Sequence, residues 1–196
     1  MNKSQAIYEI ALSKIKGIGI KNASYILSKT DLKSFFEDSI SINHEKTGLS
    51  YSFLKKINFK KALELAEKEL KELIKKKCHF SFFNNQDYPN RLKHCTDKPI
   101  ILYHKGISDF NAKKIVAIVG TRKASNEGCF LTKDLISKLS EQKITIVSGL
   151  AYGIDIAAHK ACLEFNTPTF AVLGHGFDYV YPAYHKKEVE KIIQVI

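Results

Sequence analysis

The chain has 196 residues, 44% of them hydrophobic and 26% charged, the balance of a globular domain able to bury a core, with room for a small accessory domain. That balance excludes disorder, collagen-like repeats and a small disulfide scaffold; no apolar run is long enough to span a membrane, and the N-terminus lacks a signal-peptide block. The net charge of +11 admits a polyanion such as nucleic acid as partner, although lysine supplies 29 of the 31 basic residues and a compositional bias of the proteome would look the same.

Up to about residue 77 the pattern is helical and lysine-rich. Ile15-Lys-Gly-Ile-Gly-Ile-Lys-Asn-Ala23 resembles a helix-hairpin-helix, in which hairpin N–H groups and a nearby lysine, here Lys21, hold a DNA phosphate without reading bases. A hairpin that only packs fits the same pattern. Further on, Phe59, Ala62, Leu63, Ala66, Leu70 and Ile74 recur at three- and four-residue steps and predict one apolar helix face. Residues 78–110 read as a connecting segment with two short strands, His79–Phe83 and Ile100–Tyr103, punctuated by Pro89 and Pro99.

From residue 111 to 196 strands alternate with helices. Lys114–Val119 is a continuous apolar run, as in a strand covered on both faces. A glycine loop leads into a helix near 127–142. Ile144–Val147 is the second strand, followed by a second loop and a helix to Phe165, and Thr169–Leu173 is the third, followed by a loop and a helix near 184–193. The expected fold is α/β: a partial Rossmann-like parallel sheet of three strands in βαβαβα order, preceded by a small all-α, helix-hairpin-helix-like domain over 1–77. Cys78, Cys95, Cys129 and Cys162 form no CxxC pair, so reduced thiols in a cytoplasmic protein are expected, with no metal site.

In an open parallel sheet, ligands bind outside the carboxyl ends of the strands. Three loops containing glycine fall there: Gly120–Gly128, Ser148–Asp155 and Gly174–Asp178. Glycine lets a backbone approach a ligand closely, and the helix N-termini that follow favour phosphate. Arg122 adds a bidentate donor and Ser125 a hydroxyl. GxGxxG and GxxxxGK[ST] are both absent, so neither a dinucleotide nor an NTP is supported, and no cofactor is expected. Asp155 and His159 lie four apart on one helix face; with no third ligand or nucleophile nearby, Asp155 is expected to cap the helix and His159 to pack beneath the loops. His175 reads as a loop residue.

VAIVGTRKAS, IVSGLAYGIDIAAHKA and AVLGHGFDYVYP, in this order and spacing, resemble the DprA/Smf family of DNA-processing proteins, and the similarity runs from about Tyr88 to Pro182. The resemblance implies a protein that binds single-stranded DNA without catalysis, protects incoming DNA in natural transformation and assists loading of the RecA recombinase. It assigns DNA contact to Arg122 and phosphate contacts to Gly120, Ser125, Ser148 and Gly149. Thr121, Tyr152, Gly153 and Gly174 complete the expected loop set, with Lys21 outside it. Tyr152 stands where many members carry Lys or Arg; it can stack on a base but cannot neutralise a phosphate. Members continue past this point with further strands, so the chain is expected to hold only the first half of the domain and to self-associate weakly rather than as a tight homodimer. Two other readings are a nucleotide hydrolase similar to the cytokinin-activating phosphoribohydrolases, whose PGGxGTxxE signature is missing, and a remnant that binds nothing.

Overall fold

The computed structural model describes residues 2–106 and 109–194. Two compact units divide the chain, Met1–Lys105 and Gly106–Ile196. Residues 1, 107, 108, 195 and 196, which the expected domain limits include, lie outside the described residues.

The first unit opens with α1 (Lys3–Lys14) and α2 (Ile20–Lys29), joined by the predicted hairpin. Gly17 sits at φ +89°, and the Asn22 amide donates to its carbonyl at 2.8 Å, which closes the turn. Three shorter helices follow, α3 (Leu32–Glu37), α4 (Ile40–Thr47) and α5 (Tyr51–Leu54), and then α6 (Phe59–Lys75). Asp31, Ser39, Ser50 and Asn58 cap α3 to α6 through their side chains, so the local sequence itself sets these starts. α6 packs along α1, burying Ala62, Ala66 and Leu70 against Ile10 and its neighbours. Ile74, expected on that apolar face, is instead 64% exposed. At 100° per residue Leu73 lies nearer the centre of the stripe, and Leu73 packs on the core in its place.

β1 (Cys78–Phe82), the short α7 (Asn90–Lys93) and β2 (Ile101–Lys105) complete this unit. β1 and β2 pair antiparallel, with Phe80 opposite Tyr103, and Phe80, Phe82 and Ile101 join the helical core.

The second unit runs β3 (Ile115–Ala117), α8 (Asn126–Ser140), β4 (Thr145–Ser148), α9 (Ile154–Glu164), β5 (Thr169–Ala171), a 3-10 turn at Ala183–His185, and α10 (Lys186–Gln194). The three strands are parallel in the order β3-β4-β5, with Val116 beside Ile146 and Val147 beside Phe170. This is the predicted βαβαβα sheet. Its core gathers Ile118, Ile136, Ile144, Ile146, Ala158, Ala161 and Cys162 where α8 packs on α9 and α9 on β4. Burial holds the Cys162 thiol up at about 11, so it stays protonated and inert at neutral pH.

The first strand is not covered on both faces as expected. Val116 and Ile118 point into the core, but Ala117 is exposed and Val119 is 76% exposed, as is Val172 at 58% beyond β5. Side chains alternate across a strand, and in the described residues helical packing buries only one parity.

Candidate nucleic-acid interface

Among the described residues, the carboxyl edge of the sheet is built by interlocked loops. The first loop, after β3, enters α8 through Ser125, whose Oγ accepts the Gly128 N–H at 3.1 Å. This is an N-cap bond, so the hydroxyl oxygen already serves the helix while its proton is free to be donated outward. Thr121 Oγ1 accepts from the Lys123 N–H at 3.1 Å and tightens the turn that carries Arg122. Arg122 itself is exposed and forms no ion pair among the described residues.

The second loop crosses the first at a single point. Gly153 has φ +78° and ψ −125°, and a β-carbon there would stand 2.8 Å from the Arg122 carbonyl carbon. The Ile154 N–H donates to the Thr121 carbonyl at 3.2 Å, so the first amide of α9 is satisfied by the opposite loop. Gly120 lies against the same turn, where a β-carbon would meet Ile154 Cγ1 at 2.6 Å. Gly120 and Gly153 therefore serve loop-to-loop packing directly. A β-carbon on Gly149 would stand 2.8 Å from Asp155 Oδ2.

Ser148 is 2% exposed and donates to the Ile118 carbonyl at 2.6 Å, a bond that ties β4 to the end of β3 and leaves that hydroxyl no proton for a ligand. Gly174 is exposed with no atom near its absent β-carbon. Lys21 is exposed at the first turn of α2, in the other unit. Gly19, which begins that helix, provides no side-chain cap.

Asp155 does not supply the N-cap of α9, which is Gly153; it lies in the first turn, and its Oδ2 accepts the Ala151 N–H at 3.4 Å. His159 is fully buried with Nδ1 at 2.9 Å from Thr169 Oγ1, and burial pushes its pKa down to about 4, so the ring is neutral. His175 lies in the third loop with Nδ1 at 2.8 Å from the Gly176 carbonyl. Both histidines of the sheet edge that are buried, His159 and His185, are held by internal hydrogen bonds. Among the described residues no group of three His, Cys, Asp or Glu side chains could hold a metal ion.

Between α8 and α9 lies a cleft of about 640 Å³ lined by Arg122, Lys123, Lys133, Tyr152, Lys160 and Glu164, among others. Sequence reasoning had Arg122 and Tyr152; it missed Lys133 and Lys160, which helix packing brings to the same cleft. Both lysines have acidic neighbours, Lys133 with Glu164 at 2.6 Å and Lys160 with Glu188 at 3.6 Å, whereas Arg122 does not. Arg122 and the adjacent Lys123 form no ion pair among the described residues, so these two cations of the cleft are open to a ligand.

The sequence model of the family described as DNA recombination-mediator protein A matches residues 79–195. Protein Smf of Borreliella burgdorferi is 32% identical over 187 residues, 92% of this chain and 59% of that protein. DNA processing protein A from Streptococcus pneumoniae superposes with a TM-score of 0.68 at 26% identity, covering 96% of this chain and 63% of that one. DNA processing protein A from Helicobacter pylori, whose structure is described for its single-stranded DNA binding mode, superposes with a TM-score of 0.50 at 28% identity, over 60% and 53% of the two chains. The chain therefore spans between half and three-fifths of the length of the curated relatives that match nearly all of it. No helix among the described residues is long and apolar enough to cross a membrane.

Proposed function

The chain belongs to the DNA recombination-mediator protein A family, and from that premise we propose that its second unit binds single-stranded DNA, without catalysis, at the carboxyl edge of the β3-β4-β5 sheet. The observation that carries this reading is the exposed guanidinium of Arg122, without an ion-pair partner among the described residues, at the mouth of a cleft lined by further lysines. A guanidinium so placed grips two oxygens of one phosphate, a geometry that lysine does not reproduce. The Ser125 proton and the loop backbone at Gly120, Thr121, Gly149, Gly153 and Gly174 add neutral donors or close approach, and Tyr152 offers a ring to a base. Ser148 acts through the strand ends it ties together.

Phosphate contacts of this kind carry no sequence information, so the binding is sequence-tolerant. The hairpin of the first unit, with Lys21, is a second phosphate contact in this reading. In the cell the strand held is incoming DNA in natural transformation, protected and passed to the RecA recombinase. The family's description as a recombination mediator and the single-stranded DNA binding mode described for the Helicobacter pylori relative support this role.

The test is a salt titration of the 196-residue chain with oligothymidylate. The logarithm of affinity should fall linearly with the logarithm of salt concentration, because each phosphate contact releases counterions. Tight binding without a salt slope, or turnover of a nucleotide, would remove the reading.

A further inference from the structure

Beyond the phosphate-facing side, the same sheet edge carries a second surface of different chemistry. The segment from Gly174 to His185 contains no lysine or arginine and one carboxylate, Asp178, yet it carries four large aromatic side chains. Phe177 is 38% exposed, Tyr179 61%, Tyr181 60% and Tyr184 88%. Aromatic rings of this size normally find cover, and a run of them left open beside a binding edge marks a contact surface.

This segment is anchored to the second loop. His185 is buried, its Nδ1 lies 3.0 Å from the Leu150 carbonyl, and its ring meets Tyr152 edge-on at 5.3 Å between centroids. Tyr152 also lines the cleft that holds Arg122. His175 stacks on Tyr179 at 4.8 Å with 17° between planes, which sets the Tyr179 ring in a fixed orientation. Tyr152 thus joins the two features, lining the cleft with Arg122 and touching His185 at the end of the aromatic segment.

We propose that the Gly174–His185 segment is a base-stacking platform, on which unpaired nucleobases lie while the phosphates of the same strand are held on the Arg122 side. The proposal rests on the single-stranded DNA reading above and specifies it. A segment without lysine or arginine gives a phosphate no cation to pair with, but its exposed rings offer π-faces to bases. Stacking needs a base face that is open. A duplex hides its base faces, so this segment gives the site its preference for single strands, and every base qualifies, so the preference is sequence-tolerant.

The experiment compares three ligands of equal phosphate number: oligothymidylate, an abasic oligomer with the same sugar-phosphate backbone, and a duplex. The full chain and its Tyr179→Ala/Tyr184→Ala and Tyr179→Phe/Tyr184→Phe variants are titrated by fluorescence anisotropy. The wild type should bind oligothymidylate about tenfold or more tighter than the abasic oligomer, the effect of stacking roughly one base. The alanine variant should lose that preference while its abasic affinity and salt slope stay at wild-type values, and the phenylalanine variant should keep it. Equal binding of thymidylate and abasic oligomers by the wild type overturns the platform but leaves the DNA reading standing. So does a preference that survives the alanine changes, including the case where those changes abolish self-association and the rings prove to be a protein contact. Failure of the wild type to bind any of the three overturns the DNA reading itself.

Discussion

The carbonyl oxygen of Thr121 occupies the space a β-carbon on Gly153 would need, 2.1 Å away. The two residues belong to different loops, and that contact lets the Thr121 carbonyl receive the Ile154 N–H at 3.2 Å. Gly153→Ala should force the loops apart and strain a backbone at φ +78°, at a cost on the order of 3 kcal/mol. Thermal melts should show that loss, with single-stranded DNA binding weakened as Arg122 moves with its loop. An unchanged melting temperature would mean the crossing is looser than its geometry.

Arg122→Ala removes one charge from an exposed position where it ties down no carboxylate among the described residues. Affinity for oligothymidylate should drop and the magnitude of the log–log salt slope should fall by about 0.7, the value of one phosphate contact on a single strand. Melting temperature should stay at the wild-type value. A lower melting temperature with unchanged affinity and slope would make the residue structural.

Tyr152→Lys places a cation at the rim of the same cleft. The salt slope should steepen by roughly 0.7. The lost ring contact with His185 should lower stability by about 1 kcal/mol, and denaturant titration reads this separately from affinity.

His159 gives a pH dependence with a definite sign. Its folded pKa, about 4, lies below the ordinary histidine value. As pH falls through the ordinary value the unfolded chain takes up a proton that the folded chain refuses. Stability is therefore full above about pH 6.5 and falls between there and about pH 4, by about 1.4 kcal/mol per unit from this group. In NMR titrations the His159 ring should keep its neutral shifts down to about pH 5; titration near the ordinary value would contradict the buried geometry.

Much of the second unit was legible in the sequence because its signals are local. The apolar runs at 115–119, 144–147 and 169–173 and the glycines between them read directly as strands and turns. The observed strands are shorter at β3 and β5, since pairing ends where a neighbour ends. Arg122 and Tyr152 were found because each sits within a few residues of a glycine turn. Lys133 and Lys160 were not, because surface lysines on separate helices have no mutual spacing to read; only the packing of α8 on α9 brings them together. The roles of Ser125 and Ser148 were hidden for a related reason. A serine in a loop sequence does not say whether its oxygen caps a helix, bonds a strand carbonyl or faces solvent, and here Ser125 does the first and Ser148 the second.

The sheet has its strands in chain order, and this bears on how the second unit assembles. Pairing Ile115 with Thr145 closes a segment of 30 residues, and pairing Ile146 with Thr169 closes one of 23. Loop-closure entropy grows only with the logarithm of length, so the two steps differ by about 0.2 kcal/mol and neither is a bottleneck. Each new strand meets the one made just before it, after a single helix has formed between them. The β3-α8-β4 element can therefore close while later residues are still leaving the ribosome, and α9 with β5 then adds to an edge already in register.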